Sequence, residues 1–461
     1  MSINLSICRI FAALLMPTAA LLTSTNSRAF DVQGLTYYPA LTLTERIGTL
    51  KAVAAEQLPV ATDPGGNAGM RLWTEQYAKS TRRADSCDST DSVCDGLKRT
   101  AGDINPTTAA PIVHHYEYVF PDGNIDVYDL DNRFKLVKHV RVPTFAGVRG
   151  CVASAATGKL YISYGSDNTS GGSLLEYDLS TDVVVWQRTY AFGIDSMSIS
   201  PGGKLIYMPT GERTANGIWE VLDATTGDVL GSIDSQGIGP HNTVVSPTGK
   251  HLYMGPKSSD YLVVADTSSN VVTKQIGPVL NGVRPFTING RETLAFITTT
   301  GFLGFQVGDI LNSKIIYTAR VRGFPTSGGA ASDPSHGISL SPDENEIYLI
   351  DSINSYVHVF DVSGLPLAAP KRVADIPLVG NLSGNESDCA YDCVKDGWLH
   401  HSIDGRYVLV GDSGDVIDTR LRKTVARLPA MANTRKEIEI DFQNSRVVWA
   451  MKSRSSIGRR H

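Results

Sequence analysis

The sequence lacks the features that mark several large classes of protein. Its 461 residues carry 42 Lys and Arg against 47 Asp and Glu, with no long basic run, so nucleic acid is not expected as a partner. Beyond the N-terminus, no segment approaches eighteen uninterrupted apolar residues, and no membrane span is expected in the mature chain. The ordinary balance of 42% hydrophobic and 19% charged residues argues against disorder, collagen and coiled coil.

Diagnostic motifs of the common enzyme classes are also missing. The sequence contains no G-x-S-x-G, H-E-x-x-H, P-loop, G-x-G-x-x-G or C-x-x-C-H motif. Serine hydrolase, zincin, nucleotide-dependent, Rossmann-type and haem-binding functions therefore have no support.

The N-terminus has the pattern of a secretory signal peptide. One positive charge at Arg9 precedes an apolar run that ends at Leu22 and contains a proline. This run is too short to span a bilayer. Small residues end at Ala29 and resemble a cleavage site, which predicts a mature chain that begins at Phe30. We expect the mature protein to be secreted or in the secretory lumen, with a membrane anchor as the alternative.

Cysteine usage and glycosylation triplets agree with that compartment. The mature chain would keep five cysteines; two close pairs predict two disulfides of open connectivity, formed by Cys87, Cys94, Cys389 and Cys393. Cys151 is left over inside a predicted strand, where a buried thiol is the simplest interpretation. Three acceptor triplets predict N-glycosylation in a eukaryotic host at Asn168, Asn381 and Asn385.

Two repeated units run through most of the chain. A Gly- or Asn-containing turn followed by an alternating apolar strand occurs seven times, at 156–163, 201–208, 247–254, 288–297, 342–350, 403–410 and 442–451. An alternating strand that closes on a turn also occurs seven times, at 124–131, 173–180, 217–225, 261–269, 301–309, 356–363 and 414–421. Period-2 alternation with Asp, Gly and Asn turns is typical of antiparallel hairpins. Repeats of this length predict an all-β fold, a seven-bladed β-propeller.

The repeats carry a family resemblance. The stretches GPHNTVVSPTGKHLYMG (239–255) and SHGISLSPDENEIYLIDSINSYVHVFDVS (335–363) resemble the YVTN-type repeats of seven-bladed propellers, which include lactonase-like and streptogramin-lyase-like proteins. The resemblance covers residues 115–451 and implies a fold, not an activity. Together with the N-terminal pattern, the repeats predict three regions: a signal peptide at 1–29, an N-terminal arm packing on the propeller at 30–114, and the propeller at 115–461. The segment HHYEYVF (114–120) is expected to complete the last blade.

The candidate site follows from propeller geometry. Residues just before each innermost strand gather at one end of the central channel, so residues far apart in sequence converge there. Across the repeats this position gives Arg149, Asp195, His241, Arg284, His336, then His400 or His401, and Glu437. Histidines and carboxylates suit either proton transfer or a metal, with His241, His336 and His400 as candidate ligands. The alternative is structural: histidine rings bond to neighbouring blades, and the arginines either bind a substrate oxygen or pair with Asp195 and Glu437.

Three functions remain open at this stage. The first is a propeller enzyme without cofactor that converts a small molecule by non-redox cyclisation, isomerisation or elimination. The second is a divalent-metal-dependent lyase or lactonase that uses His241, His336 and His400 or His401. The third is a non-catalytic binding propeller that presents the loop at 380–397.

A second resemblance favours the first function. The signal peptide, the disulfide-capable arm and a propeller without redox motifs are similar to fungal hetero-Diels–Alderases of tropolone–sesquiterpenoid biosynthesis, a branch of secondary metabolism. This resemblance implies a pocket that holds a reactive quinone methide beside an alkene by proximity and hydrogen bonding, with no metal.

Overall fold

The structure is a computed structural model that describes residues 112–327, 333–386, 394–455 and 457–458. The predicted signal peptide, almost all of the arm and the four cysteines of the predicted disulfides lie outside these residues. Within the described part of the chain, no helix is long and apolar enough to cross a membrane. A short 3-10 turn occupies Met431–Asn433.

Blades 1 to 3 are four-stranded antiparallel sheets that follow one another along the chain. We number the strands in chain order. Blade 1 consists of β4 (Val148–Ser154), β5 (Lys159–Gly165), β6 (Gly172–Asp178) and β7 (Val183–Thr189). Blade 2 consists of β8 (Ser198–Ile199), β9 (Leu205–Pro209), β10 (Ile218–Asp223) and β11 (Val229–Asp234). Blade 3 consists of β12 (Pro240–Val245), β13 (His251–Pro256), β14 (Leu262–Asp266) and β15 (Val271–Ile276).

Blades 4 to 6 repeat the same order of strands. Blade 4 consists of β16 (Val283–Ile288), β17 (Leu294–Thr299), β18 (Gly304–Asp309) and β19 (Lys314–Arg320). Blade 5 consists of β20 (Ile338–Leu340), β21 (Glu346–Asp351), β22 (Tyr356–Asp361) and β23 (Lys371–Pro377). Blade 6 consists of β24 (Trp398–His401), β25 (Tyr407–Gly411), β26 (Asp415–Asp418) and β27 (Lys423–Arg427).

The seventh, closing blade joins the two ends of the described chain. It contains β1 (Val113–Val119), β2 (Asn124–Asp129) and β3 (Lys135–Arg141) from one end and β28 (Glu437–Gln443) and β29 (Arg446–Ala450) from the other. The sheet order is β29-β28-β1-β2-β3, and β1 pairs antiparallel with β28 from Val113↔Gln443 to Val119↔Glu437. The seven-bladed propeller and the closing strand predicted at 114–120 are therefore confirmed.

One repeat occupies a different place in its blade from the other six. The first six copies of the first unit contain the second strands of their blades, whereas the seventh copy, at 442–451, does not. That place is taken by β1, and β29 instead pairs with the opposite, axis-facing edge of β28. The reason is that β28 has two edges, and the N-terminal strand already uses the outer one.

The strand pattern explains where the core lies. The first strands of blades 1 to 6 contact one another around the axis, and their side chains are buried throughout. The fourth strands, such as β7 and β15, alternate between exposed and half-buried residues. Tyr161, Tyr207 and Tyr253 occupy equivalent positions on second strands and are almost fully buried. They pack between blades.

A repeated turn closes the third strands. Asp178, Asp266 and Asp361 each end a third strand, and each carboxylate accepts a hydrogen bond from the backbone N–H two residues later. This short local bond stabilises a tight turn and explains why Asp recurs at the position. The Asp turn therefore closes the third strand by a local bond in blades 1, 3 and 5.

The C-terminal tail (residues 451–458, of which 456 is not described) crosses the channel. The carbonyl of Met451 accepts a hydrogen bond from Ala153 in blade 1, and that of Lys452 accepts one from Ile199 in blade 2. Further on, the backbone N–H of Gly458 bonds to Ile288 in blade 4. Because these partners lie on different sides of the ring, the tail occupies the axis.

Candidate functional site

The inner strands begin at one end of the channel, which we call the mouth. Five of the predicted residues lie at the mouth: Arg149, Asp195, His241, Arg284 and His336. Each stands five residues before the residue that begins the turn after its inner strand. All five are at most 6% exposed. The structure therefore brings these five predicted residues into one region of the fold.

The mouth cluster is a network of paired charges centred on Glu212. It consists of Arg149, Asp167, Asp195, Glu212, His241, Lys257, Arg284 and Asp333. Glu212 lies 2.9 Å from Arg149, 2.9 Å from Lys257 and 3.2 Å from Arg284. Burial by itself raises the pKa of Glu212, but the charges of His241, Arg149, Lys257 and Arg284 outweigh it and hold the pKa well below its usual value.

The two predicted arginines serve this network. Arg149 also contacts Asp167 at 2.8 Å and Asp195 at 3.6 Å, and Arg284 contacts Asp333 at 2.6 Å. Pairing of Arg149 with Asp195 is the structural alternative that the sequence left open. The arginines thus hold carboxylates in place around the mouth, as buried ion pairs with several hydrogen bonds do.

His241 is held by one ring nitrogen only. Its Nδ1 lies 3.0 Å from Asp195 Oδ2 and 3.9 Å from Glu212 Oε2. Its Nε2 is buried and has no hydrogen-bond partner among the described residues. An imidazole oriented in this way can accept or release a proton at Nε2 while a carboxylate supports the ring.

His336 lies beside His241, with ring centroids 6.2 Å apart. Its Nδ1 donates a hydrogen bond to the carbonyl of Gly397 at 3.0 Å, which leaves Nε2 as an acceptor. Burial, and then the charges of Arg435 and His241, hold the pKa of His336 well below its usual value. His336 is therefore neutral at physiological pH.

Blade 6 departs from the sequence register. The turn bond Ser402 N–H to Tyr407 O matches Ser341 to Glu346 in blade 5, so the residue equivalent to His336 is Gly397, not a histidine. Gly397 has φ +76°, and a Cβ there would lie 2.6 Å from Ile350 Cδ1. Glycine is needed at this position because the backbone is left-handed and crowded.

His400 and His401 lie three and four residues deeper in β24. His400 Nε2 is 3.1 Å from Glu117 Oε1, between blade 6 and the closing blade. Burial by itself lowers the pKa of His400, but Glu117, Glu437 and Glu439 together outweigh it and raise the pKa to about 9. His401 Nδ1 lies 2.8 Å from Ser339 Oγ. These contacts tie both histidines to neighbouring blades.

Glu437 lies at the start of β28 and is completely buried. Burial raises its pKa to about 8, and neither carboxylate oxygen makes a hydrogen bond within the described chain. Its charged neighbours are Arg454 of the tail, His400 and Asp412 of blade 6, and Glu117 of the closing blade. Glu437 therefore lies where the closing blade, blade 6 and the tail meet, and not in the mouth cluster.

The remaining predicted residues have simple surroundings. Cys151 is free and buried, and burial raises the pKa of its thiol to about 12, which agrees with an inert thiol. Asn168, Asn381 and Asn385 are exposed, and their glycosylation stays a prediction.

Four members of the mouth cluster were missed by the sequence analysis. Asp167, Glu212 and Lys257 follow the second strands of blades 1, 2 and 3, and Asp333 precedes the inner strand of blade 5. The signal that could have found three of them is positional. In an antiparallel blade, the loop after the second strand returns to the end where the first strand begins, so charged residues in those loops also reach the mouth.

Comparisons with known proteins do not identify a family for this chain. No family model and no curated protein sequence matches this chain. Many solved chains match its structure. One belongs to the crystal structure of a mitotic checkpoint complex, with 12% identity and a TM-score of 0.48 over 64% of this chain and 80% of that chain. At that similarity, the match says nothing about activity.

Proposed function

We propose that the protein is an enzyme that converts a small organic molecule at the mouth by non-redox chemistry, with His241 moving the proton. The observation that supports this proposal is the arrangement of His241, whose Nδ1 faces Asp195 while its buried Nε2 has no hydrogen-bond partner in the described chain. A buried polar atom without a partner is costly and calls for a functional explanation. A carboxylate behind an imidazole fixes its tautomer and stabilises the imidazolium that forms.

The reaction can be written with a closed proton balance. Nε2 of His241 accepts a proton from an acidic C–H or O–H group, and the electron pair left on the substrate delocalises into a conjugated carbonyl. The imidazolium then returns the proton at another atom of the substrate or gives it to a leaving group. No electrons are gained or lost, so the class is isomerisation, cyclisation or elimination.

The charges of the mouth favour a neutral substrate. Arg149 and Arg284 already contact carboxylates, and an anionic substrate would have to compete with them. A carbonyl or phenol group needs only a hydrogen bond from a donor at the mouth. Pre-formed ion pairs also keep the site rigid, so that less reorganisation is needed during the reaction.

A more specific form of this proposal is hetero-Diels–Alder cyclisation in secondary metabolism. The second family resemblance supports it, and the predicted signal peptide would place it in the secretory pathway. In that reaction the mouth would act by holding the two reacting groups together and by hydrogen bonding to the quinone methide oxygen. The proton transfer by His241 would then be confined to release of the quinone methide from its precursor.

Isotope incorporation tests the role of His241. Hydroxylated, conjugated carbonyl compounds and quinone methide precursors are incubated with the full chain in D₂O, and products are analysed by mass spectrometry. Proton transfer predicts products that differ from the substrate in structure, with deuterium at the reprotonated carbon of isomerisation or cyclisation products and a released leaving group for elimination. His241→Gln should abolish conversion, whereas His251→Gln, which changes a histidine paired with Glu292 outside the mouth, should not. Equal conversion by both variants would overturn the proposal.

Metal-dependent elimination is the second candidate, because ligand atoms of Asp195, Glu212 and His241 lie within 4.8 Å of one another. This set shares only His241 with the three histidines that the sequence offers as candidate ligands. Glu212 is already neutralised by Lys257 and Arg284, so a divalent cation would have to displace their charges. Loss of conversion on chelation, restored by metal, would favour this candidate over the first.

A further inference from the structure

A second cluster of possible metal-ligand atoms lies in the closing blade and shares no residue with the mouth cluster. His115 belongs to β1, and Glu439 and Asp441 belong to β28. The three side chains share one face of the sheet because His115 pairs with Asp441 and Glu117 pairs with Glu439. We call these three residues the seam triad, since they join the N-terminal and C-terminal strands of the propeller.

We propose that the seam triad binds a divalent metal ion such as Zn²⁺ and thereby stabilises the pairing of the N-terminal and C-terminal strands in the closing blade. The ligand atoms are His115 Nδ1, Glu439 Oε1 and Asp441 Oδ1, which lie within 4.8 Å of one another. Imidazole nitrogen with carboxylate oxygen is a ligand set that Zn²⁺ accepts.

The spacing of the ligand atoms fits a small metal ion. His115 Nδ1 is 3.1 Å from Asp441 Oδ1 and 3.4 Å from Glu439 Oε1. Ligands about 2.1 Å from a tetrahedral Zn²⁺ stand roughly 3.4 Å apart. His115 keeps a quarter of its side chain exposed, so water can reach a fourth position.

The bonding of the three atoms also points to a ligand. Glu439 and Asp441 are at most 1% exposed, and within the described chain Glu439 Oε1 and Asp441 Oδ1 have no hydrogen-bond partner besides their ion-pair contacts with His115 Nδ1. The other oxygen of Glu439 accepts a hydrogen bond from the backbone N–H of Ile403 at 2.6 Å. Such a bond fixes a carboxylate in the orientation of a metal ligand.

The charge of the seam completes the argument. Glu117 and Glu439 are buried carboxylates directly opposite each other on paired strands, an arrangement of like charges that destabilises a sheet. His400 partners Glu117. A divalent cation would balance the two negative charges of Glu439 and Asp441, with His115 neutral and its Nδ1 proton released on binding.

Zinc binding by the full-length chain tests the proposal. Chelator-treated protein is titrated with Zn²⁺ by calorimetry, and its thermal unfolding is followed with and without Zn²⁺. The proposal predicts that His115→Ala weakens binding to the site by at least about a hundredfold, since even residues behind a ligand contribute about 10–100-fold. The matched control is His114→Ala, which changes the exposed neighbouring histidine and should bind as the unchanged protein does.

The unfolding midpoint gives a second readout. Zn²⁺ at a hundredfold excess over its Kd should raise the midpoint by a few degrees in the unchanged protein and in His114→Ala, but not in His115→Ala. If His115→Ala does not fold, Asp441→Asn takes its place in both measurements. Absence of binding by the unchanged protein would show that the triad is an ion-pair cluster only. Binding that survives in His115→Ala and is lost in His241→Ala would place the metal at the mouth. Either result overturns the proposal.

Discussion

At the scale of single residues, the histidines of this chain differ in what their Nδ1 atoms contact. His241 Nδ1 faces a carboxylate, His336 Nδ1 faces a backbone carbonyl, and His401 Nδ1 faces a serine hydroxyl. Only the first arrangement supports a positive charge on the ring. The same residue type at similar positions is therefore suited to proton transfer in blade 3 and to neutral acceptance in blade 5.

Asp195→Asn tests the orientation of His241. The new side chain can keep the hydrogen bond that Asp195 Oδ1 accepts from the backbone N–H of Ser196, so the fold should be retained. Its amide N–H, however, would face His241 Nδ1 and favour the tautomer with the proton on Nε2. We expect conversion of the substrate found in the isotope experiment to fall about 100-fold or more. Steady-state kinetics measure the change, with Glu292→Gln beside His251 as the control.

His336 predicts how stability depends on pH. Its folded-state pKa lies well below 6.5 because of burial, Arg435, His241 and Arg284, so the unfolded chain takes up a proton that the folded chain does not. Stability attributable to this group is therefore present above pH 6.5 and lost as pH falls below it, by up to about 1.4 kcal/mol per pH unit. The free energy of unfolding, measured by urea denaturation between pH 6.5 and 5, should fall less steeply with falling pH in His336→Gln than in the unchanged protein. The exposed control His114→Gln should leave this pH dependence unchanged. An unchanged slope in His336→Gln would refute the prediction.

At the scale of secondary structure elements, ring closure depends on β1 and β28. Ile440 is fully buried in β28, pairs with Tyr116 of β1, and belongs to the core between the closing blade and blade 1. Val448 on β29 is 41% exposed. Both residues are β-branched and lie in strands of the same hairpin, but only Ile440 is buried. Comparing substitutions at the two positions therefore isolates the contribution of burial to stability.

Ile440→Ala should destabilise the protein by about 2–5 kcal/mol, because it leaves a cavity in this core. Val448→Ala should change stability by about 0.5 kcal/mol or less. Urea denaturation of both variants measures the difference. Equal effects would mean that the closing hairpin is not packed as the structure describes.

Strand-level features could be predicted from the sequence because they are local. Period-2 alternation and Asp turns gave the seven repeats, and the spacing to each turn gave Arg149, Asp195, His241 and Arg284. The partners Asp167 and Glu212 could not be found in this way, since they come from loops of variable length. Blade 6 shows a further limit of prediction from the sequence. The analysis placed His400 or His401 at the mouth, whereas the residue at that position is Gly397, which the left-handed backbone requires.

At the scale of the whole molecule, the tail connects the closing blade to the mouth. Arg454 donates hydrogen bonds to the carbonyls of Arg149 and Arg435 and to Ser196 Oγ. Its guanidinium lies 3.9 Å from the ring centroid of Trp398, whose Nε1 donates to the Arg454 carbonyl. The tail therefore occupies the channel directly below the mouth. Burial of a charged side chain here is sustained by carbonyl acceptors and an aromatic face.

Removal of Arg454 should loosen the tail and expose Cys151, whose thiol lies in the same core as Met451. In the unchanged protein, burial raises the pKa of Cys151 to about 12, so labelling by iodoacetamide at pH 8 should be slow. Arg454→Ala leaves three acceptors and the Trp398 ring without their cation. We expect labelling of Cys151, followed by peptide mass spectrometry to separate it from other cysteines, to accelerate at least about tenfold. Arg446→Ala, which changes an exposed arginine on β29, is the matched control.

Circular dichroism reports whether the sheets persist in each variant. Faster labelling of Cys151 in Arg454→Ala with an unchanged spectrum would assign the effect to the tail. Equal labelling rates in both variants would show that the tail does not protect the core.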